Sequence, residues 1–216
     1  MSPRTEEQFE DIREGKKKLI LDTALGLFAN KGYHATSISM ITKEVGISKG
    51  LIYNYFKSKE YLLTTIFHKI IFEVMDMINP NHDDVITDDE AEGFFDNFFD
   101  VLVANPEEWK LFYQLTIQPD VMEFLLKESH SHTIQSSQKL IYSYFLTRDF
   151  EDTETAILLF SSIFKGFALQ YAFAPEMFTQ DMLDKFKAKL KELFLRKSVP
   201  GKEVKEMDEN MGYFLL

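Results

Sequence analysis

The stretch Thr36–Phe56 reads TSISMITKEVGISKGLIYNYF. Two short helical runs meet at Gly46. The first, from Ser37 or Ser39 to Val45, puts Ile38, Ile41 and Val45 on one face. The second, from Ser48 to Phe56, anchors itself with Leu51, Ile52 and Phe56, and Ile47 packs the turn. Two short apolar-faced helices joined by a glycine-centred turn have the anatomy of a helix-turn-helix. The outer face of the second helix carries Ser48, Lys49, Tyr53, Asn54 and Tyr55. Such a face suits the major groove of duplex DNA, because a bare helix fits there and its polar side chains reach base edges. Gly50 lacks a side chain and permits close approach of backbone to DNA. Ser48 and Ser58 are N-cap residues at helix starts able to receive phosphate, and Lys57 and Lys59 add point charges. The alternative is a structural helix pair with Tyr53 and Tyr55 half-buried.

Outward from this stretch the chain reads as helix almost throughout, with strand signals nearly absent. Upstream, Phe9, Ile12, Leu19, Ile20, Ala24, Leu27 and Phe28 form a stripe from about Glu7 to Asn30, ended by Gly32. Downstream, Ser58 opens a long helix with Tyr61, Leu62, Ile66, Phe67, Ile70, Val74 and Ile78 on its inner face, stopping at Asn79-Pro80. Asp88–Ala104 follows, with acids at its start. Pro106 and Pro119 each occupy a first helical position. The segment after Pro119 breaks near Glu128–His132 and continues to about Thr147. Asp152 caps an apolar helix that Pro175 ends, and Thr179–Leu195 is the last. The expectation is an all-α protein of about nine helices. An N-terminal three-helix unit is joined by a long helix to a larger helical domain. The expected boundaries are 1–57, 58–197 and a C-terminal tail, 198–216.

Composition narrows the function. The 216 residues include no Cys, which excludes disulfide scaffolds, thiolate-ligated metals and thiol nucleophiles. The charged, polar start carries no secretory signal pattern, so a cytoplasmic location is expected. Net charge is −11, which by itself argues against a polyanionic partner. Its distribution reverses that reading. Gly15–Lys59 holds eight Lys against Asp22 and Glu44, whereas residues 60–216 hold 14 basic and 28 acidic residues. A basic segment on an acidic body is the footprint of a local polyanion site.

The run from Ile20 to Ile66 closely resembles the DNA-binding domain of the TetR family of bacterial transcriptional regulators. Phe28, Gly32, Tyr33, Thr36, Ile41, Gly46, Ser48, Gly50, Tyr53, Phe56, Lys59 and Glu60 fall in register. The resemblance implies an all-α homodimer whose larger domain binds an inducer. It implies a recognition helix at Ser48–Tyr55, with contacts to a double-stranded, palindromic operator from Thr36, Ser37, Ser48, Lys49, Gly50, Tyr53, Asn54, Tyr55 and Lys59. Asn54 lies at a position that varies in the family and is expected to carry operator preference. Thr42 and Val45 stand where the family usually has Ala, which tightens packing. The implied function is a ligand-responsive repressor. The alternatives are an activator, or a small-molecule-binding helical protein with a vestigial DNA unit.

The resemblance also implies dimerisation through Asp152–Ala174 and Thr179–Leu195, two helices from each subunit. Phe160, Phe164, Phe167, Tyr171, Phe186, Leu190 and Phe194 are the expected interface. The first of these helices is long enough to span a membrane, but Lys165 sits mid-span beside Ser161, Ser162 and Gln170, so a buried helix is expected. Trp109, Tyr113, Gln114, Gln118, Tyr142 and Gln170 are candidate lining for an apolar or aromatic inducer. His130-x-His132 with Glu128 is a poor metal pair, since residues two apart on a helix diverge. Asn79–Glu90 approaches a calcium loop but has Asp84 where glycine is required. No nucleophile elbow, phosphate loop or cofactor motif is present, so neither an enzyme nor a bound cofactor is expected.

Overall fold

The computed structural model describes residues 6–128 and 132–199. They form ten α-helices. These are α1 (Glu6–Lys31), α2 (Ile38–Val45), α3 (Lys49–Ile52), α4 (Lys59–Ile78), α5 (Asp88–Ala104), α6 (Pro106–Thr116), α7 (Pro119–Glu128), α8 (His132–Leu146), α9 (Thr153–Phe173) and α10 (Gln180–Phe194). A 3₁₀ turn, Pro175–Met177, separates the last two. The described residues carry ten helices where the sequence suggests about nine, and the expected break near Glu128–His132 falls at residues 129–131, outside the described residues. No strand occurs among the described residues beyond one isolated Arg148–Ser198 bridge.

Local chemistry sets the ends. Ser37, Ser48, Thr87, Asp152 and Thr179 each accept a backbone N–H at a helix start. At α5 the Glu90 carboxylate also receives the Thr87 N–H at 2.8 Å, completing a capping box. Glu90 is thereby committed to helix capping rather than to a cation loop. Gly46 ends α2 at φ +73°, with Ile47 N–H reaching the Thr42 carbonyl at 2.9 Å. That pairing closes the turn only where the intervening residue tolerates a left-handed backbone.

The chain divides into two compact units, and the division departs from the boundary at 57/58. Ile70 closes the first unit, which also takes in Leu111–Met122. The second comprises Ile71–Lys110 and the chain from Glu123 onward. Helices α4, α6 and α7 therefore each run through the division. The His130 pair and the tail beyond Val199 lie outside the described residues.

In the first unit the core is built from Ile20, Leu21, Ala24, Leu25 and Phe28 of α1, Ile41, Ile52, Phe56, and Leu62, Leu63, Ile66 and Phe67 of α4. Phe9, Ile12 and Leu19 continue the α1 stripe but are exposed, and Tyr61 is exposed where Leu63 is buried. Thr42 is buried, and its hydroxyl donates to the Ser39 carbonyl at 3.1 Å, so the departure from Ala leaves no orphan donor.

The second unit is held by aromatic rings. Phe94, Phe95, Phe98 and Phe99 of α5 meet Phe160, Phe164 and Phe167 of α9 at centroid separations between 5.0 and 6.5 Å. Phe160 also packs on Phe145 and Phe194, each at 5.2 Å, and Phe186 on Phe167 at 4.7 Å. Each such ring removed from water contributes roughly 1.5–3 kcal/mol. Lys187 and Lys191 of α10 pair with Asp96 of α5 at 3.1 and 2.9 Å. By length and composition α9 is long and apolar enough to cross a bilayer, and in this unit its aromatic side packs against α5.

This packing corrects the expected dimer surface. Phe164, Phe167, Tyr171, Leu190 and Phe194 are buried inside one chain, and Phe160 and Phe186 join the same ring cluster. The sequence shows α9 apolar around most of its circumference but not which side meets its own core. The side left open carries Leu158, Leu159, Leu169 and Phe173, between 38% and 53% exposed.

Candidate nucleic-acid interface

The turn after α1 supports everything that follows it. Gly32 adopts φ +89°, and its N–H donates to the Phe28 carbonyl at 3.1 Å. The left-handed step sends the chain back across the end of α1, with Tyr33 buried and edge-on to Phe28 at 5.1 Å. Burial, with the Glu60 carboxylate as a second cause, pushes the Tyr33 hydroxyl up to about 12. Thr36 is fully buried, and its hydroxyl lies 2.9 Å from the Gly32 carbonyl and 3.1 Å from that of Leu27.

Lys59 meets this turn from the start of α4. Its ammonium donates to the carbonyls of Tyr33 (3.0 Å) and Thr36 (3.1 Å) and stands over the Tyr33 ring at 4.3 Å. The expected DNA contact at Thr36 is therefore corrected, its side chain being closed off from solvent. Thr36 is buried and Lys59 half-buried, and both brace the turn through backbone carbonyls. The in-register match identified the positions, but the partners are backbone carbonyls that a sequence pattern does not reveal.

The remaining expected residues keep exposed or half-exposed positions. Ser37 is exposed at the N-cap of α2, and Ser48, Lys49, Gly50, Tyr53 and Asn54 are exposed along α3 and the turn after it, with Tyr55 half-buried. Directly behind them Ile52 and Phe56 are 0% and 1% exposed. Helix α3 is shorter than the expected Ser48–Phe56. After Ile52 the chain tightens into turns, Asn54 N–H bonding Leu51 and Tyr55 N–H bonding Ile52. The polar face survives this shortening because the buried anchors keep their places.

The inducer candidates do not converge. Gln170 is exposed, Tyr142 is buried, and Trp109 packs edge-on to Phe98 at 6.1 Å. Burial raises the Tyr113 hydroxyl, and the Gln114 side-chain oxygen is enclosed. Gln118 is taken up by backbone groups, its amide donating to the Phe28 carbonyl at 2.9 Å and accepting the Tyr33 N–H at 2.8 Å. None of the six lines the cavity in the second unit. That cavity, about 30 Å³, is walled by hydrocarbon from residues including Ile78, Phe94, Phe95, Ile141, Phe145 and Phe160.

An all-helical chain with a closed helix-turn-helix core and a bare polar helix in front of it defines a DNA-binding transcriptional regulator. Residues 20–66 match the bacterial regulatory proteins of the tetR family. The chain is 30% identical over 150 residues to IcaR of Staphylococcus epidermidis, a negative transcriptional regulator of the biofilm operon icaADBC, covering 67% of this chain and 79% of that protein. It is 57% identical over 53 residues to the uncharacterized HTH-type transcriptional regulator YuxN of Bacillus subtilis, covering 24% of this chain but only 18% of YuxN. The fold is similar to that of the fatty acid degradation regulator FadR from Bacillus halodurans, at a TM-score of 0.61 and 21% identity, over 83% of this chain and 94% of that one. The chain belongs to the tetR family of bacterial transcriptional regulators.

Proposed function

We propose that the protein is a cytoplasmic, homodimeric repressor that releases a palindromic operator when an apolar small molecule binds its second unit. The observation that carries this reading is the joint exposure of Ser48, Lys49, Gly50, Tyr53 and Asn54 in front of the fully buried Ile52 and Phe56. Lys49 supplies phosphate charge, and Asn54 is able to bond an adenine edge in two places. Ser37, Ser48 and Tyr55 flank these groups. The sign of regulation follows the likeness to IcaR, a negative regulator.

Dimerisation supplies the second recognition helix, about one helical turn of DNA away. Its surface on this reading is the open side of α9. Leu158, Leu159, Ser162, Gly166, Leu169 and Phe173 recur at steps of three and four and share one face. Small residues in the middle of that face favour close approach of two such helices.

The ring-lined cavity favours a neutral, apolar inducer, because it offers a charged ligand no compensating group. At about 30 Å³ it is far smaller than an ordinary ligand site, so ligand entry displaces ring side chains. Helix α4 is continuous from residue 59 to 78 and carries such a displacement toward the first unit. A coupling of about 1–3 kcal/mol would weaken operator binding 5- to 150-fold.

The test is retention of genomic DNA fragments by the purified protein, followed by a reporter on the retained promoter in a deletion strain. Rising expression on deletion agrees with repression. Falling expression makes the protein an activator, and failure to retain any fragment at low salt removes the DNA-binding reading itself.

A further inference from the structure

Gln118 occupies a corner. Its carbonyl accepts the Met122 N–H at 2.9 Å and so opens α7, while its own N–H bonds back to Leu115 at the end of α6. Its side chain leaves this corner and meets α1 some 90 residues earlier in the chain. The amide nitrogen donates to the Phe28 carbonyl at 2.9 Å and lies 3.3 Å from the Gln114 carbonyl. The amide oxygen accepts the Tyr33 N–H at 2.8 Å. Only one orientation of the amide satisfies all three partners. The two α1-side partners flank Gly32, whose left-handed backbone sets the direction in which the chain leaves α1. A Cβ on Gly32 would itself come within 3.9 Å of the Gln118 oxygen.

The same turn is gripped independently by Lys59, through the carbonyls of Tyr33 and Thr36. Thr36 is followed at once by Ser37, the N-cap of α2. One short segment thus receives a latch from α4 and another from the α6–α7 corner, and it delivers the helix-turn-helix. Both α6 and α7 continue into the second unit.

We infer that Gln118 is a positioning residue that ties the α6–α7 corner to the turn placing α2 and α3, giving the second unit a route to the DNA-facing helices besides α4. A shift of the corner moves or releases the Phe28 carbonyl and the Tyr33 N–H together. The segment is short and closed by left-handed Gly32, so it passes the displacement on to Ser37 and α2. The inference deepens the proposed regulation and rests on it for its biological meaning. The coupling itself is a property of the free protein.

The test is hydrogen–deuterium exchange on the full chain without DNA, for wild type, Gln118→Ala, Gln118→Glu, Lys59→Met and the Lys59→Met double variants. Gln118→Glu keeps chain length and the acceptor for Tyr33 N–H but loses the donor to Phe28, so it serves if Gln118→Ala folds poorly. Exchange across 32–41 should rise by about fivefold or more in either Gln118 variant, with α8–α10 unchanged. Loosening the turn from the α4 side, by Lys59→Met, should speed exchange at 114–118 by about threefold in the presence of Gln118 and leave it unchanged in its absence. An identical response with and without Gln118 overturns the coupling, as does uniform acceleration through all helices. Neither result depends on DNA retention, so failure here is separate from failure of the repressor reading.

Discussion

Lys59 holds the Tyr33 carbonyl at 3.0 Å while its ammonium lies 4.3 Å from the centre of the Tyr33 ring. One side chain thus satisfies the polar edge and covers the aromatic face of the residue that follows Gly32. A charged donor to backbone acceptors contributes about 1.5–3 kcal/mol. Lys59→Met should lower folding stability by roughly 1–3 kcal/mol in a denaturant titration, whereas Lys57→Met, at an exposed position two residues earlier, should change it by less than about 0.5 kcal/mol. Equal effects would place Lys59 at the surface with Lys57.

The two sides of α9 should answer differently to substitution. Leu159 is 53% exposed on the open side, and Phe164 is 7% exposed among the α5 rings. Leu159→Asp should leave the helical spectrum intact and shift light scattering from dimer to monomer. Phe164→Ala should cost about 3–5 kcal/mol of stability and leave the surviving folded protein dimeric. A dimer that persists in Leu159→Asp would remove this face from the interface.

Lys165 provides a pH signature. Burial on α9 lowers its ammonium from an ordinary lysine value to about 8. Below pH 8 the charge is present folded and unfolded, and its desolvation cost is fully felt. Between pH 8 and about 10.4 the unfolded chain binds more protons, so stability rises with pH through that window. Lys165→Met should be the more stable protein at pH 7, by about 2–3 kcal/mol, with the difference shrinking toward pH 10. The Tyr33 hydroxyl acts in the opposite direction above pH 10, but it is common to both proteins and cancels in the comparison. A difference that is flat with pH would show that Lys165 is not desolvated.

Helix ends were legible because their causes are local. Ser48, Asp152 and Thr179 cap within three residues of themselves, and Gly46 and Pro106 act at their own positions. The exposed polar face of α3 was legible for the same reason, since its anchors Ile52 and Phe56 lie within the segment. The sequence concealed pairings that cross it. Gln118 finds its partners 85 and 90 residues away, and Lys59 finds its own 23 and 26 residues back. Nothing in composition distinguishes a lysine bound for a carbonyl from one bound for phosphate.

The expected interface residues on α9 coincide with the chain's own core. Both sides of the helix are apolar, and aromatic rings occur on each, Phe173 lying on the open one. Phe160, Phe164 and Phe167 meet the phenylalanines of α5, while Leu158, Leu159, Leu169 and Phe173 stay exposed.

The central claim is that the bare face of α3 meets duplex DNA. It is tested most directly by the salt dependence of binding to a retained genomic fragment, measured for wild type, Lys49→Ala and Lys185→Ala. Lys185 lies on α10, paired with Asp181 at 2.7 Å, and serves as a charge-matched control. The slope of log affinity against log salt should fall by about one unit per recognition helix in Lys49→Ala and stay at the wild-type value in Lys185→Ala. Equal slopes for all three proteins would contradict the claim.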